Sequence, residues 1–128
     1  RVLPAVLPNE VISICSVGDV GIHPIENTCL NHFYCLPNKL FQYIQAGIPV
    51  LCSDFPEMRK IVNGYKVGEV FDVEDVNNIS NTINIFFEDM GKLMEYKNNC
   101  IKASATLNWN IEKIKLLDIY SQLLSTSN

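Results

Sequence analysis

LPNKLFQYIQAGIPVLCS, residues 36–53, decides the fold class. Pro37 suits the first turn of a helix, where its missing N–H costs nothing and its fixed φ is already helical. Leu40, Phe41 and Ile44 then form an apolar stripe at the spacing of a 3.6-residue turn, with Tyr43 beside it. Gly47 stands where helices commonly end in a left-handed residue, and Pro49 prevents continuation. Val50, Leu51 and Cys52 follow as an unbroken apolar run, the pattern of a strand covered on both faces. A helix that delivers the chain into such a strand is half of a βαβ unit.

The same alternation extends in both directions. Upstream, residues 1–3 read as the end of a strand, Asn9 as the cap of a helix reaching about residue 17, and Gly18-Asp19 as a turn. Residues 20–23 read as a strand that Pro24 ends, and residues 25–36 as a polar, irregular loop. Downstream, residues 56–62 predict a short helix stopped by Asn63-Gly64, and residues 67–71 a strand. Three helical patterns follow, at about 76–87 with Asp75 as its cap, 91–105 and 111–124, and residues 125–128 read as a frayed Ser/Thr tail. Strands separated by helices predict an α/β fold, a mostly parallel sheet with flanking helices and a helical C-terminal end. In such sheets ligands bind beyond the carboxyl ends of the strands. Two loops leave those ends, one at residues 24–36 and one at 53–56.

Length and composition narrow the function classes. The 128 residues fit one domain, and 48% hydrophobic content is enough for a core. A net charge of -4 argues against nucleic-acid binding, which calls for a basic face. The longest apolar-looking stretch, residues 40–53, is interrupted by Gly47 and Pro49 and is too short to span a bilayer. Residue 1 is Arg and the chain opens on an apolar run without a signal-peptide pattern, so the expectation is a piece of a longer chain whose upstream part is missing. Cys15, Cys29, Cys35, Cys52 and Cys100 are odd in number and lack a CxxC pair; they read as reduced, buried thiols rather than zinc ligands.

The start of the 37–45 helix carries the chemistry. A helix N-terminus offers unpaired N–H groups and the positive end of a dipole. Lys39 adds a full charge and Asn38 a donor and an acceptor, so this turn reads either as an anion site or as a Pro-started helix with a solvated Lys. Gln42, one turn on from Asn38, reads either as a hydrogen-bonding group in the same crevice or as a surface residue. His23 comes just before Pro24 and points near the cleft, while His32 reads as a loop residue. Asp54 and Glu57 read as a metal pair or, for Glu57, as a carboxylate favoured in a first helical turn. Phe33-Tyr34 either stacks on a ligand or packs the loop against the sheet.

The run GDVGIHPIENTCLNHFYCLPNKLFQYIQAGIPVLCSDFPEMRKIV, residues 18–62, resembles the C-terminal domain of retaining GT-B glycosyltransferases of the family 4, or group 1, type. The family's pattern is similar to "aDvgl.P", then "PnKlfEYlaaGkPVva", then "sd.pe...iv". Asp19, Pro24, Pro37, Lys39, Phe41, Tyr43, Gly47, Pro49, Val50, Ser53 and Glu57 match it. Gly68 and residues 72–75 resemble a later "Gl.v.p.d", Trp109 the late "W" and Tyr120 the "lY". The resemblance covers nearly the whole chain.

The resemblance implies a Rossmann-like fold and a single partial domain over residues 1–128, the nucleotide-sugar half of a two-domain enzyme. It implies a UDP- or GDP-sugar donor, a glycan or lipid-linked acceptor and retaining transfer in surface polysaccharide synthesis. No cofactor, bound metal or nucleic-acid partner is implied. The acceptor site and the catalytic groups belong to a missing N-terminal domain, so no catalytic residue is expected in this chain and the chain alone should be inactive. The full-length protein would be cytoplasmic, at the inner face of the membrane as a peripheral partner. Residue by residue, Pro37, Asn38, Lys39 and Leu40 would face the donor's phosphates and sugar. Gln42 would meet the ribose, Asn27 and Thr28 would lie near the donor sugar, and Val6 near the nucleobase. The last helix would cross to the N-terminal domain, or else pack on its own sheet.

Two positions depart from the family. Gln42 stands in place of the second Glu of an E-x7-E motif, and eight positions earlier is Tyr34 instead of the first Glu; Glu26 lies in the same loop. A carboxylate hydrogen bond contributes roughly 1.5–3 kcal/mol and a neutral one roughly 0.5–1.5. Ribose binding by Gln42 would therefore be weaker. The alternatives are a nucleotide-sugar-binding or interaction module that has lost catalysis, and a sugar-nucleotide epimerase of the same fold.

Overall fold

The computed structural model describes residues 2–125. Helix α1 (Val11–Cys15) leads to strand β1 (Gly21–His23), then α2 (Leu30–Phe33) and α3 (Asn38–Gln45) lead to β2 (Val50–Ser53). Helix α4 (Pro56–Tyr65) connects to β3 (Gly68–Phe71), and α5 (Val76–Glu88), α6 (Met90–Ser104) and α7 (Trp109–Ser125) complete the chain. The protein is α/β: a three-stranded parallel sheet in the order β1-β2-β3, flanked by helices, with a helical C-terminal end.

Strand β2 is central and wholly buried because its side chains alternate between two cores. Val50 and Cys52 point toward Leu40 and Ile44 of α3 and Met58 and Val62 of α4. Leu51 points the other way, toward Phe71, Phe86 of α5, and Leu93 and Tyr96 of α6. Helix α6 joins the two cores. Leu93 and Tyr96 belong to the second, and Cys100 and Ala103, two turns on, to the first. The Cys100 thiol donates to the carbonyls of Ile48 (3.4 Å) and Val67 (3.6 Å), the residues that lead into β2 and β3. Helix α6 therefore crosses the amino ends of the strands and leaves the carboxyl ends open.

Two close approaches fix the sheet. The Tyr43 ring lies on Gly21, where an added Cβ would come within 2.2 Å of it, and its hydroxyl donates to the Ile22 carbonyl at 3.4 Å. A Cβ on Gly68 would sit 1.8 Å from the Val50 carbonyl oxygen, so β3 starts against β2 only with glycine there. Helix α3 closes as expected at Gly47, which has φ 72°. The Gly47 amide bonds the Ile44 carbonyl (3.0 Å) and the Ile48 amide the Tyr43 carbonyl (3.1 Å), the paired bonds of a Schellman motif.

Several local expectations are corrected. Residues 2 and 3 are irregular rather than strand, and Arg1 lies outside the described residues; among the described residues no neighbouring strand is there to pair with. Helix α1 is shorter than expected and its N-cap is Glu10, not Asn9; the Glu10 carboxylate accepts the Leu7 amide at 3.0 Å. The 25–36 loop contains α2. Pro37 is the N-cap of α3, with extended ψ 143°, one position before the first turn. Helix α4 runs through Asn63 and Gly64, both solvent-facing, and stops at Lys66 (φ 51°), whose carbonyl accepts from Asn99 Nδ2 at 2.9 Å. Asp75 caps α5 as read, accepting from the amides of Asn77 (2.9 Å) and Asn78 (3.1 Å). Ser125 is the last residue of α7, and residues 126–128 of the expected tail lie outside the described residues. Helix α7 does not pack on the sheet: all its residues are exposed.

Candidate functional site

A helix that links two parallel strands runs back against them, so α3 begins on the carboxyl-end side of the sheet. The loop from β1 is held there by a reciprocal pair. Ser53 Oγ, fully buried at the end of β2, donates to the Ile25 carbonyl (2.8 Å) and accepts the Ile25 amide (2.7 Å). This ties β2 to the β1 loop across 28 residues. Further along the loop, Thr28 Oγ1 and His32 Nδ1 are 2.8 Å apart, and the Glu26 carbonyl is 3.2 Å from the same nitrogen.

Two hollows result. The larger, about 680 Å³, runs along the outer face of α3 and is bounded by α4 and the corner between α6 and α7. Asn38, Gln42 and Gln45 line it at helical spacing, with Phe41, Leu107 and Trp109 among its apolar walls. That volume lies within the roughly 300–1,000 Å³ of small-molecule sites, and apolar walls with a few polar groups are their usual make-up. Gln45 Nε2 donates to the Leu107 carbonyl at 3.3 Å, whereas the side-chain amides of Asn38 and Gln42 have no partner among the described residues. The smaller hollow, about 320 Å³, lies beyond β2 and β3 and is lined by Asn27, Phe33, Asp54, Arg59, Asp72 and Glu74. Arg59 Nε pairs there with Asp54 Oδ1. Three carboxylates against one guanidinium make this hollow unsuited to a phosphate.

The expected residues divide between these places. Asn38 and Gln42 share the larger hollow and Asn27 lines the smaller. Lys39 is exposed and lines neither; its charge reaches His23, whose pKa is lowered first by burial and then by Lys39. His23 Nε2 is buried without a partner among the described residues. Leu40 is fully buried in the core and its amide donates to the Pro37 carbonyl at 3.1 Å. Pro37 is half-buried, and Thr28 is engaged with His32. Val6 is exposed on the irregular lead segment and lines neither hollow, and neither does Glu26. Phe33 packs on Phe55 (ring centroids 5.4 Å apart) and so fastens the loop to the core, while Tyr34, edge-on to Phe33 at 4.9 Å, is exposed.

Burial pushes the Cys52 thiol up to about 12, helped by the Asp54 charge, and burial alone does the same for Cys100. The burial expected of the cysteines holds for these two; Cys15 and Cys35 are half-buried, and Cys29 is exposed at the N-cap of α2. Among the described residues no group of three His, Cys, Asp or Glu side chains converges as a metal site, and no helix is long and apolar enough to cross a membrane.

The sequence reading missed two features. In the sequence Trp109 is only a motif letter, yet it walls the larger hollow because the α6–α7 corner folds back onto α3. Glu69 on β3 accepts from Lys92 Nζ and Tyr96 Oη of α6, both at 2.5 Å. Burial pushes the Glu69 carboxyl up, but these two bonds and the Lys92 charge outweigh it and hold it below the usual range. Helical spacing places Lys92 and Tyr96 on one face; nothing in sequence points to their strand partner. Comparisons with family models, curated proteins and solved structures give no match to this chain.

Proposed function

We propose that the chain is the donor-binding half of a retaining nucleotide-sugar glycosyltransferase of GT-B, Rossmann-like architecture. One observation carries the reading. The helix that begins with the resembling PNKLFQY residues starts on the open side of a parallel sheet and lines a ligand-sized hollow with two unpaired amides, Asn38 and Gln42. In this reading the ribose hydroxyls bond Gln42. The diphosphate lies at the start of α3, where free N–H groups, the helix dipole and Lys39 stabilise the charge that develops on the leaving group. Leu40 serves by holding the helix in the core rather than by touching the donor. The acceptor, a glycan or lipid-linked sugar, belongs to a second domain, and the full-length protein would work on surface polysaccharide at the cytoplasmic face of the membrane.

Calorimetry with UDP- and GDP-sugars tests the reading. Micromolar to millimolar binding of one of them is expected, tightened several-fold by Gln42→Glu because a carboxylate bonds hydroxyls more strongly. Weaker binding by that variant removes Gln42 from the ribose, and no binding of any sugar nucleotide by the full-length protein refutes the reading. Gln42 itself favours a second reading, a donor-binding module without catalysis. Binding without turnover in the full-length protein would select it, and conversion of the donor to its epimer would instead select an epimerase.

A further inference from the structure

Resting on the donor-binding reading, we propose that Trp109 is the wall on which the donor's nucleobase stacks, so that the larger hollow takes the uncharged nucleoside and the phosphates stay at its Lys39 end. The hollow is ordered along α3. Asn38, Gln42 and Gln45 follow one another over seven residues, about 10 Å of helix. Trp109 stands at the Gln45 end, because Gln45 holds the carbonyl of Leu107, two residues before it. The cationic end is therefore at residues 38–39 and the aromatic end about two turns away.

Charge supports the same order. Glu112 is the only charged residue among the described residues lining this hollow, and Lys39 lies outside it. A phosphate inside would meet a carboxylate and no cation; an uncharged base and ribose would meet an indole, Phe41 and free amides. Trp109 is 65% exposed, so its ring is available. Its backbone is nonetheless fixed. Asn108 Nδ2 donates to the carbonyls of Ser104 (2.9 Å) and Ala105 (3.1 Å), while its Oδ1 accepts the Ile111 amide (3.2 Å). One side chain thus closes α6 and opens α7, and the Gln45 bond to the Leu107 carbonyl ties this corner to α3. An exposed ring on a hydrogen-bonded corner offers its face for stacking. Val6, on the irregular lead segment, offers no comparable surface.

Trp109 is the chain's single tryptophan, so its emission reports on this wall alone. The 128-residue chain is titrated with uridine, guanosine, UDP, GDP and pyrophosphate, following indole fluorescence and, in parallel, heat. One nucleoside and its diphosphate should quench the emission saturably, and pyrophosphate should leave it unchanged. Trp109→Ala should weaken that nucleoside diphosphate by about tenfold or more, as loss of base stacking does, and Trp109→Phe by only about threefold. Neither variant should alter pyrophosphate binding, and unchanged circular dichroism confirms that both fold. If UDP or GDP binds with unchanged emission and Trp109→Ala binds it equally well, the stacking role is overturned while the donor reading stands. Quenching by pyrophosphate overturns the division of the hollow. If no nucleoside or nucleoside diphosphate binds this chain, the inference falls, and the same compounds tested on the full-length protein decide the donor reading separately.

Discussion

Helices α3 and α7 carry similar apolar side chains in opposite circumstances. In α3, Leu40 and Ile44 are fully buried, and Phe41 and Gln42 are left at the edge of a hollow. In α7, Ile114, Leu117, Tyr120 and Leu124 are each more than half exposed, and no residue of the helix is buried. The difference lies in how the apolar residues are arranged. Those of α3 occupy one stripe and seat the helix against β1 and β2. Those of α7 form a broad band, from Ile119 through Leu123, Leu116 and Tyr120 to Leu124 and Leu117, with Ile111 and Ile114 outside it, and among the described residues no element covers that band. Apolar content predicts burial only where it is one-sided and a neighbour is present.

The largest effect that would sharpen this contrast is Leu40→Ala. Removing a fully buried side chain from the α3 stripe should cost about 2–5 kcal/mol, read as a lower urea midpoint with an unchanged slope. A loss below about 1 kcal/mol would mean that α3 is not seated as described. Ser53→Ala should come next, at about 1–3 kcal/mol, because it leaves the Ile25 amide and carbonyl without their partner. If it matched wild type in thermal unfolding, water would be replacing the clamp.

Smaller still is the Glu69 cluster. Its carboxyl is held below the ordinary value of 4.5, so it binds protons less readily folded than unfolded. The stability it adds is therefore complete above the unfolded value and is lost as pH falls through the folded one. Glu69→Gln should lower stability at pH 7 by under about 1 kcal/mol, since the pair is partly solvated, and should flatten the acid limb of the stability profile. An unchanged acid limb would remove Glu69 from the balance. Least of all, Leu117→Ser on α7 should change the unfolding free energy of this chain by no more than about 0.5 kcal/mol. A loss of several kcal/mol would show that α7 is packed in solution and would erase the contrast with α3.

The fold was legible wherever local chemistry and burial agreed. Pro37, the Leu40–Ile44 stripe, Gly47 and the Val50 strand were read from residue type, and the observed elements follow them closely. The reading failed where tertiary contacts overruled local signals. Asn63-Gly64 should have stopped α4, but Met58 and Val62 anchor the helix beneath and the stop falls at Lys66. Loop 25–36 contains a helical turn because Phe33 has Phe55 to pack on, a partner 22 positions away that no local pattern reveals. The site was half legible. Asn38 and Gln42 share a helix face by spacing alone, whereas Trp109 joins them only because the α6–α7 corner folds back. The motif places Leu40 near a ligand, its position in the apolar stripe places it in the core, and its side chain is fully buried.

Helix α6 also imposes an order of assembly. Its Cys100 thiol reaches Ile48 across 52 positions and Val67 across 33, and Cys100 and Ala103 complete the core around Val50 and Cys52. The strands are thus synthesised well before the helix that closes their amino ends. A chain that stops short of residue 100 lacks the two side chains that complete the core around Val50 and Cys52. Contacts this distant in sequence form late. The final closure of the α3 face is therefore made by a segment that plays no part in building the strands.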